Sequence, residues 1–272
     1  MKIGIDFGIT HTDVVKVSSD EISFHSAPSP LIQGSIEKVI HSFEISDEIE
    51  AIFVTGGKSS DLSNTFNGIP VTHMNEINSI AHGAKKLYGL QESALIVSTG
   101  TGTACVHFDG VNGNHMGGIA VGGGMLCGLG NLLFKNGDAL EIDEFAEKGD
   151  KSKIDFLIGD VVNKIGNLSP EITAANFSKA VNSESATMEN VAASLCNMIG
   201  EVIGTIAYLN AFLLGVDKVY FIGRTALLKN VRAGINERLQ LAGIKGEYAE
   251  NCEYANALGC LLYTSPSPRD RG

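Results

Sequence analysis

The sequence of 272 residues is poor in proline, with six residues, and in charged side chains, which make up 19% of the chain. Hydrophobic residues make up 44%, and glycine is common, with 32 residues. This composition excludes a disordered, collagenous or coiled-coil chain. At roughly 150 residues per domain, the length corresponds to about two domains or one large one. We therefore expect a globular protein of the α/β class with a sizeable core.

Positive charge is also scarce, because 20 Lys and Arg stand against 31 Asp and Glu, for a formal net charge of −11. A chain of this charge has no overall field that attracts nucleic acid or an anionic membrane surface. No uninterrupted apolar run approaches the ~20 residues of a membrane span, and the first residues have a strand pattern rather than that of a signal peptide. We expect a cytoplasmic protein that binds neither nucleic acid nor membranes.

Cysteine and histidine are too dispersed to indicate a metal centre. The five cysteines are never closer than eight positions apart, and the seven histidines form no His-x-x-x-His pair. Neither spacing is typical of a zinc site or a disulfide framework. We predict reduced thiols and no metal site built from these two residue types.

The order of the predicted elements indicates two similar units. Three short strands, Lys2 to Gly8, Thr12 to Ser18 and Glu21 to Ala27, are joined by turns too short for helices and form an antiparallel meander. Helices and strands then alternate, and a second strand-turn-strand unit starts at Ala94. The polar, proline-containing residues 264–272 shift abruptly in composition, and we expect them to be a non-native tail outside the fold.

Two short turns rich in glycine and threonine each follow an apolar strand. The first runs from Asp6 to Thr12 as Asp-Phe-Gly-Ile-Thr-His-Thr, and the second runs from Ser98 to Thr103 as Ser-Thr-Gly-Thr-Gly-Thr. Glycine lets the backbone approach an anion, turn N–H groups donate hydrogen bonds, and threonine hydroxyls add further donors. Both turns are candidates for holding phosphate, although a pair of ordinary hairpins remains the alternative. Asp6 is placed to hold Mg²⁺ through water beside such phosphates.

A third feature is the glycine-rich stretch from Gly117 to Gly130, which contains Gly122, Gly123 and Gly124 and opens a predicted helix. Many glycines in a short segment are costly in conformational entropy, so the backbone there needs unusual dihedral angles or a very close neighbour. A nucleotide at the N-terminus of the helix fits this requirement. The stretch has neither the Gly-Lys-Ser/Thr of a P-loop nor the strand-turn-helix context of a Rossmann fingerprint.

These three motifs, in this order, resemble those of the type II pantothenate kinases of bacteria and the related eukaryotic pantothenate kinases, which belong to the actin-like, hexokinase-like ATPase superfamily. The resemblance extends over about residues 1–263, with further matches after the strands that end at Thr55 and Ile222 and around Ile172. It implies two ribonuclease-H-like domains, residues 1–75 and 76–263, around a nucleotide cleft. It also implies Mg²⁺-dependent transfer of the ATP γ-phosphate to the terminal hydroxyl of pantothenate, and a homodimer with the apolar helix from Met188 to Leu214 as a candidate contact surface.

The resemblance assigns roles to particular residues. Glu76, which opens a helix capped by Asn75, matches the base that takes the hydroxyl proton; without the resemblance, a carboxylate that favours the helix macrodipole is the alternative. His115, Thr173 and Ala174 border the pantothenate with Glu76, and the residues after Ile222 border the adenosine. The implied nucleotide and metal residues are Asp6, Gly8, Ile9, Thr10, His11, Thr12, Asp13, Thr101, Gly102, Thr103, Gly122, Gly123, Gly124, Met125, Leu126, Gly223, Arg224 and Thr225.

Three positions depart from the family pattern and keep two alternatives open. Ile9 replaces a glycine and Asp13 replaces a lysine in the first turn, and both changes favour a non-catalytic nucleotide or metabolite sensor. His115 replaces an arginine and cannot make a forked, permanently charged contact with a carboxylate. That change favours a kinase of the same fold for another small hydroxy compound, such as a sugar or an N-acetylhexosamine.

Overall fold

The computed structural model describes residues 1–18, 21–45, 48–57, 59–162, 169–182 and 184–263. The predicted tail at residues 264–272 lies outside this range. The described part of the first 93 residues contains, in chain order, β1 (Lys2–Phe7), β2 (His11–Ser18), β3 (Glu21–Pro28), α1 (Ser29–Ile32), α2 (Ile36–Ser42), β4 (Ala51–Thr55), β5 (Thr65–Phe66), β6 (Ile69–His73) and α3 (Glu76–Tyr88).

The following residues form the second half of the fold. In chain order its elements are β7 (Ala94–Thr99), β8 (Thr103–Phe108), β9 (Gly113–Ile119), α4 (Gly123–Phe134), α5 (Ala139–Ala146), β10 (Phe156–Leu157), α6 (Ile158–Val161), β11 (Thr173–Ala175), α7 (Met188–Leu214), β12 (Lys218–Ile222), α8 (Lys229–Leu241), β13 (Lys245–Tyr248) and α9 (Ala255–Tyr263).

Two mixed sheets repeat the same strand arrangement. The first has the order β3-β2-β1-β4-β6-β5, and the second has the order β13-β12-β7-β8-β9. In each, a three-stranded antiparallel meander is extended by two parallel strands, which are β4 and β6 in the first sheet and β12 and β13 in the second. The first sheet ends with the short strand β5, which is antiparallel to β6. Because each parallel strand needs a crossover, helices cover the faces of both sheets. The predicted α/β fold with two ribonuclease-H-like units is confirmed.

Helix ends follow the local sequence. The side chain of Asn75 accepts hydrogen bonds from two N–H groups in the first turn of α3, and Thr187 accepts one in α7. These caps satisfy donors that have no partner within the helix. Both helices end at glycines in the left-handed conformation, Gly89 and Gly215, which have no Cβ to oppose it.

Helices α3 and α9 connect the two sheets. Helix α3 packs on the second sheet through Ile80, Ala81 and Ala84, whereas α9 packs on the first sheet through Ala257 and Leu261. The two helices cross at very short range, because a Cβ on Gly83 would lie 1.9 Å from the carbonyl oxygen of Ala255. Likewise, a Cβ on Gly259 would lie 1.9 Å from the carbonyl oxygen of Ser79.

The division into residues 1–75 and 76–263 stays a prediction. Contacts of α9 with β1, β4 and β2 place the C-terminal helix against the N-terminal sheet. A Cβ on Gly4 in β1 would lie 2.2 Å from the carbonyl oxygen of Ala257, so this contact is also close.

The opposite face of the second sheet is covered by α7 and α8. Helix α7 is long and apolar enough to cross a membrane by length and composition, since its most apolar 18-residue window has a mean hydropathy of 1.4. However, 67% of that window is buried in the protein, where Leu195, Ile199 and Ile203 join the core beneath the sheet. The structure therefore uses this apolar helix as a core element.

The glycine-rich stretch is divided between a strand and a helix. The sequence predicts a helix opened by the whole stretch, but residues up to Ile119 form β9 and α4 starts at Gly123. A Cβ on Gly118 would lie 2.5 Å from the carbonyl oxygen of Thr103, so the glycine lets β9 lie against β8. The short strands β10, β11 and β13 were not predicted either, because two to four residues are too few to show the alternation of apolar and polar side chains that identifies a strand.

We expect Gly83→Ala to destabilise the protein by at least about 2 kcal/mol, because a methyl group at the α3–α9 crossing forces the helices apart. Urea unfolding measures this as a lower transition midpoint. Gly128→Ala in α4 is the matched control: its Cβ would meet nothing within 4 Å, and alanine is the better helix former. Equal midpoints for Gly83→Ala and the unsubstituted protein would contradict the crossing described above.

Candidate active site

The first turn, between β1 and β2, is held by a serine from α1. The backbone N–H of Ser29 donates to the carbonyl oxygen of Thr10 at 2.9 Å, and its hydroxyl donates to that of Gly8 at 2.7 Å. The hydroxyl of buried Thr12 lies 3.1 Å from the hydroxyl of Ser29, so Thr12 also supports the turn through this serine. Ile9, at the tip of the turn, is 78% exposed.

The two predicted phosphate turns meet each other. The hydroxyl groups of Thr10 and Thr101 lie 3.2 Å apart, although the residues are 91 positions apart in the chain. His11 lies beside them, with its Nδ1 at 3.4 Å from the hydroxyl of Thr10. The fold therefore brings the first turns of the two meanders into contact.

The glycines that open α4 are packed against the second turn. The N–H of Gly123 donates to the carbonyl oxygen of Gly100 at 2.9 Å, and that of Gly124 donates to the carbonyl oxygen of Thr101 at 3.0 Å. A Cβ on Gly122 would lie 2.8 Å from both of those carbonyl oxygens. Close approach of two protein segments thus explains these glycines, and the two N–H groups already have partners within the chain.

The other predicted nucleotide-binding residues near the second turn and the start of α4, which together form one wall of the site, differ in burial. The hydroxyl of Thr103 donates to the carbonyl oxygen of Val121, which ties β8 to the segment before α4. Leu126 is buried in the core, whereas Met125 and Gly102 are half-buried. Thr103 and Leu126 therefore support the wall, while Thr101, Gly102 and Met125 are nearer its surface.

The turn after β12 joins the same assembly. The hydroxyl of Thr225 donates to the carbonyl oxygen of Gly100 at 2.7 Å and accepts from the N–H of Gly123 at 3.0 Å. Gly223 has a φ of +91°, and a Cβ there would lie 2.5 Å from the carbonyl oxygen of Thr99. One buried threonine and one left-handed glycine thus lock this turn to the second turn and α4.

A row of polar side chains crosses the first sheet on the side covered by α9. Asp6 on β1 is directly opposite Asp13 on β2, which is opposite Ser26 on β3. Directly opposite residues on antiparallel strands project to the same face. Burial, together with the negative charges of Asp13 and Glu76, raises the pKa of the Asp6 carboxyl to about 7, although a hydrogen bond from Asn256 acts in the opposite direction.

Arg224 reaches this row from the turn after β12. Its Nη2 lies 2.6 Å from Oδ1 of Asp13, its Nη1 lies 3.0 Å from Oδ2, and Nη2 also donates to the hydroxyl of Ser26. Burial raises the pKa of Asp13 to about 6, although the adjacent guanidinium acts in the opposite direction. The pair connects the first sheet to the second across the cleft.

Glu76 and His115 lie on one side of the second sheet. Glu76 is the exposed first residue of α3, and Asn78 in the same turn accepts a hydrogen bond from the N–H of Gly113 in β9. His115, also exposed, is opposite Val106 on β8, and Val106 belongs to the core against α3. The predicted base and the predicted acceptor contact therefore share the α3 face of this sheet.

Thr173 and Ala174 lie on the other side of the second sheet. The hydroxyl of Thr173 accepts a hydrogen bond from Asn197 of α7, and its carbonyl oxygen accepts one from Arg238 of α8, which also forms an ion pair with Glu201. Because α7 and α3 cover opposite faces, these two residues do not meet Glu76 within one chain.

The carboxylate of Asp6 fits a magnesium ion that phosphates would also bind. Mg²⁺ keeps several waters and is usually bound by one or two carboxylates plus substrate phosphates. Asp6 is a half-buried carboxyl whose negative form is disfavoured by neighbouring carboxylates, so a cation there relieves that repulsion. Among the described residues, no group of three or more His, Cys, Asp or Glu side chains is arranged to hold a metal by itself.

Sequence reasoning did not find several residues that build this site. Ser26, Ser29 and Asn256 contact the first turn or the acidic row, and Tyr254 places its ring centroid 5.5 Å from the guanidinium carbon of Arg224. Ser26 and its partner Arg224 are 198 positions apart in the chain, and even Ser29 and Gly8 are separated by 21 positions. Serine, asparagine and tyrosine in unremarkable local contexts carry no signal of such contacts.

Solved structures of other proteins share the overall fold described above. The activator of 2-hydroxyisocaproyl-CoA dehydratase from Clostridium difficile, with bound ADPNP, has a TM-score of 0.66 and 16% identity, covering 96% of this chain and 93% of that one. A ROK family glucokinase from Streptomyces griseus, in complex with glucose and AMPPNP, has a TM-score of 0.61 and 14% identity, covering 96% and 97%. The fold is that of the actin-like and hexokinase-like ATPases.

Sequence comparison identifies the family within that class. A family model described as Fumble matches residues 90–232, more than half of the chain. The chain therefore belongs to the Fumble family. It is 29% identical over 272 residues to the type II pantothenate kinase of Staphylococcus aureus strain USA300, a match that covers 96% of this chain and 98% of that protein. The corresponding protein of strain NCTC 8325 has the same identity and coverage.

The raised pKa of Asp6 predicts a pH-dependent stability in the metal-free protein. Because the folded state holds the proton more tightly, the full contribution is present below the ordinary pKa of 3.8 and is lost as pH rises to about 7. We therefore expect Asp6→Asn to be more stable than the unsubstituted protein at pH 8 by about 4 kcal/mol, and the difference to vanish near pH 4. Urea unfolding in the presence of a chelator measures both values.

Asp109→Asn is a control at a carboxyl whose pKa is shifted in the opposite direction. Backbone N–H groups of Asn112 and Val111 donate to Asp109 and lower the pKa of its carboxyl, so this stabilisation is present above the ordinary pKa and is lost at lower pH. We expect Asp109→Asn to lose stability at pH 8. If the free energies of unfolding of Asp6→Asn and of the unsubstituted protein differed by the same amount at every pH from 4 to 8, Asp6 would have an ordinary pKa.

Proposed function

We propose that this protein transfers the γ-phosphate of ATP to the terminal hydroxyl of pantothenate, forming 4'-phosphopantothenate, the first step of coenzyme A biosynthesis. The observation that carries the proposal is the convergence of both phosphate turns, Asp6 and Glu76 on one cleft. Similarity to type II pantothenate kinases over nearly the whole chain supports pantothenate as the acceptor.

We assign the phosphates of ATP to the surface formed by the two turns. The hydroxyls of Thr10 and Thr101 face each other there, and the first turn offers Gly8, where a Cβ would lie 2.6 Å from the carbonyl oxygen of His11. Hydroxyl and backbone donors position phosphates without adding charge, which suits a reaction that depends mainly on positioning and electrostatic stabilisation. We assign the adenosine to the turn at Gly223, on the wall formed by the second sheet.

Asp6 would hold Mg²⁺ together with the phosphates, and the ion would supply positive charge that neutralises the transferred group. Glu76 is exposed and has the first-turn position in α3 from which its carboxylate faces the acceptor. Its role is to accept the hydroxyl proton while the acceptor oxygen bonds to the γ-phosphorus and the bond from that phosphorus to the β–γ bridging oxygen breaks. ADP then leaves with that bridging oxygen.

The acceptor side contains a specific departure. His115 shares the α3 face with Glu76 and stands where the related kinases have an arginine. A neutral imidazole binds a carboxylate more weakly than a guanidinium does, and this observation favours a second candidate, a kinase for a sugar or another uncharged hydroxy compound. The exposed Ile9 and the carboxylate of Asp13 in the first turn favour a third, a nucleotide sensor without turnover.

We further propose a cytoplasmic homodimer. The C-terminal half of α7 exposes Leu209, Phe212 and Leu213, with Leu213 exposed to 78%, and these residues form an apolar surface that a second copy would cover. Thr173 and Ala174 are separated from Glu76 within one chain, so their predicted contact with the acceptor requires a second copy.

The decisive experiment is ADP release from Mg-ATP with a panel of acceptors: pantothenate, pantetheine, N-acetylglucosamine, glucose and no acceptor. We expect release that depends on pantothenate. Release with a sugar and not with pantothenate would establish the second candidate, and nucleotide binding without release would establish the third.

We expect Glu76→Gln to lower kcat about 10²- to 10⁴-fold, because the amide cannot take the hydroxyl proton. Binding of Mg-ADPNP is expected to stay within about twofold. Glu92→Gln, an exposed change of the same type outside the cleft, is the control for the loss of one carboxylate. Turnover by Glu76→Gln equal to that of Glu92→Gln would remove Glu76 from the reaction.

We expect His115→Arg to lower KM for pantothenate roughly five- to tenfold, because a guanidinium makes a charge-assisted, forked contact with its carboxylate. Panthenol, which has an alcohol in place of that carboxylate, is the matched substrate control and is expected to show no gain. A gain with both substrates, or with neither, would place His115 away from the pantothenate carboxylate.

A further inference from the structure

The cleft surrounding Asp6 is strongly acidic for a site that accepts a polyphosphate. Asp6 and Asp13 are adjacent on one sheet face, Glu76 raises the pKa of Asp6, and Glu253 raises that of Asp13. A nucleoside triphosphate brings several more negative charges into the same space. Without a cation from the protein, repulsion between these groups opposes binding even when Mg²⁺ accompanies the nucleotide.

Arg224 is a cation placed in this row from the opposite wall. It belongs to the turn after β12, on the second sheet, yet its guanidinium contacts Asp13 and Ser26 on the first sheet. The neighbouring residue, Thr225, is anchored to the second phosphate turn by the hydrogen bond to the carbonyl oxygen of Gly100. Arg224 therefore spans the cleft between the two turns that are proposed to hold the phosphates.

The orientation of Arg224 is set by its surroundings. Its contacts with Asp13 and Ser26 use three of the five N–H donors of the guanidinium, and Tyr254 lies beside it with its ring and makes a further side-chain hydrogen bond with it. The Arg224 side chain nevertheless remains 30% exposed, whereas that of Asp13 is only 8% exposed. A fixed cation with an exposed edge loses little conformational entropy when an anion arrives.

We propose that Arg224 is a positioning residue for the nucleotide phosphates, held across the cleft by Asp13 and Ser26 so that a positive charge from one half of the fold acts at the phosphate turn of the other. This inference rests on the proposed nucleotide site but not on the acceptor. It differs from the expectation that Arg224 borders the adenosine, because the charge is directed at the phosphates.

The test measures binding of nucleotides without an acceptor. We expect Arg224→Gln to raise the Kd of Mg-ADPNP about tenfold or more, the usual scale for one charge-assisted contact. The Kd of Mg-ADP is expected to rise less and that of AMP least, because the effect grows with the number of phosphates. Lys229→Gln, which removes an exposed cation from the same half of the fold, is the charge-matched control and is expected to change none of these values.

Two further variants separate charge from a structural latch. Arg224→Lys keeps the charge and loses the forked geometry, and the double variant Asp13→Lys/Arg224→Gln moves the cation to the facing strand. We expect Arg224→Lys to bind Mg-ADPNP within about threefold of the unsubstituted protein. The double variant is expected to bind it more tightly than Arg224→Gln alone.

Other results would overturn the proposal. An equal rise in Kd for ADPNP, ADP and AMP in Arg224→Gln would assign Arg224 to the adenosine. Binding by Arg224→Lys as weak as that by Arg224→Gln would mean that the fork closes the cleft as a latch and that its charge does not act on the phosphates. Because no acceptor is present, these outcomes do not depend on whether pantothenate is the substrate. If the unsubstituted protein bound no nucleotide at all, the nucleotide site itself would be rejected.

Discussion

The close crossing of α3 and α9 is the constraint on which the rest of the structure depends. Each helix covers a different sheet, and the two touch only because Gly83 and Gly259 present no side chain at the crossing. The same two helices begin at the cleft, where α3 starts with Glu76 and α9 starts beside Asn256, the partner of Asp6. Helix packing of this kind fixes the distance between Glu76 and Asp6.

Electrostatics determines how the cleft can operate. Carboxylates on β1, β2 and α3 make it acidic, and burial together with these neighbouring charges raises the pKa of Asp6. Arg224, which comes from the other half of the fold, balances part of this charge, and the proposed Mg²⁺ at Asp6 would balance more of it. In such a site, binding of the proposed nucleotide and binding of a metal ion are coupled, since the cation reduces the repulsion between the phosphates and the carboxylates.

Glycine has two different roles in this protein, and only one concerns the ligand directly. At Gly8 and Gly223 it shapes turns that face the cleft. At Gly122 and Gly123 the absent side chain makes room for the carbonyl oxygens of the second turn, so the most distinctive motif in the sequence serves largely to pack the wall. A motif that identifies a family can thus act on the ligand through the backbone that it supports.

The sequence by itself determined the opening meander, the helix from Asn75 to Tyr88, the long α7 and the repetition of a glycine and threonine turn, because periodicity, capping and turn chemistry are local properties. It also indicated Asp6, Glu76 and the two turns as one site, since the resemblance supplies their shared cleft. Only the tertiary structure decided that Arg224 meets Asp13, that Ser29 holds the first turn, and that Thr173 lies behind the second sheet. Those contacts join residues many positions apart, and the path of the intervening chain depends on the packing of whole helices and sheets rather than on any neighbouring residue.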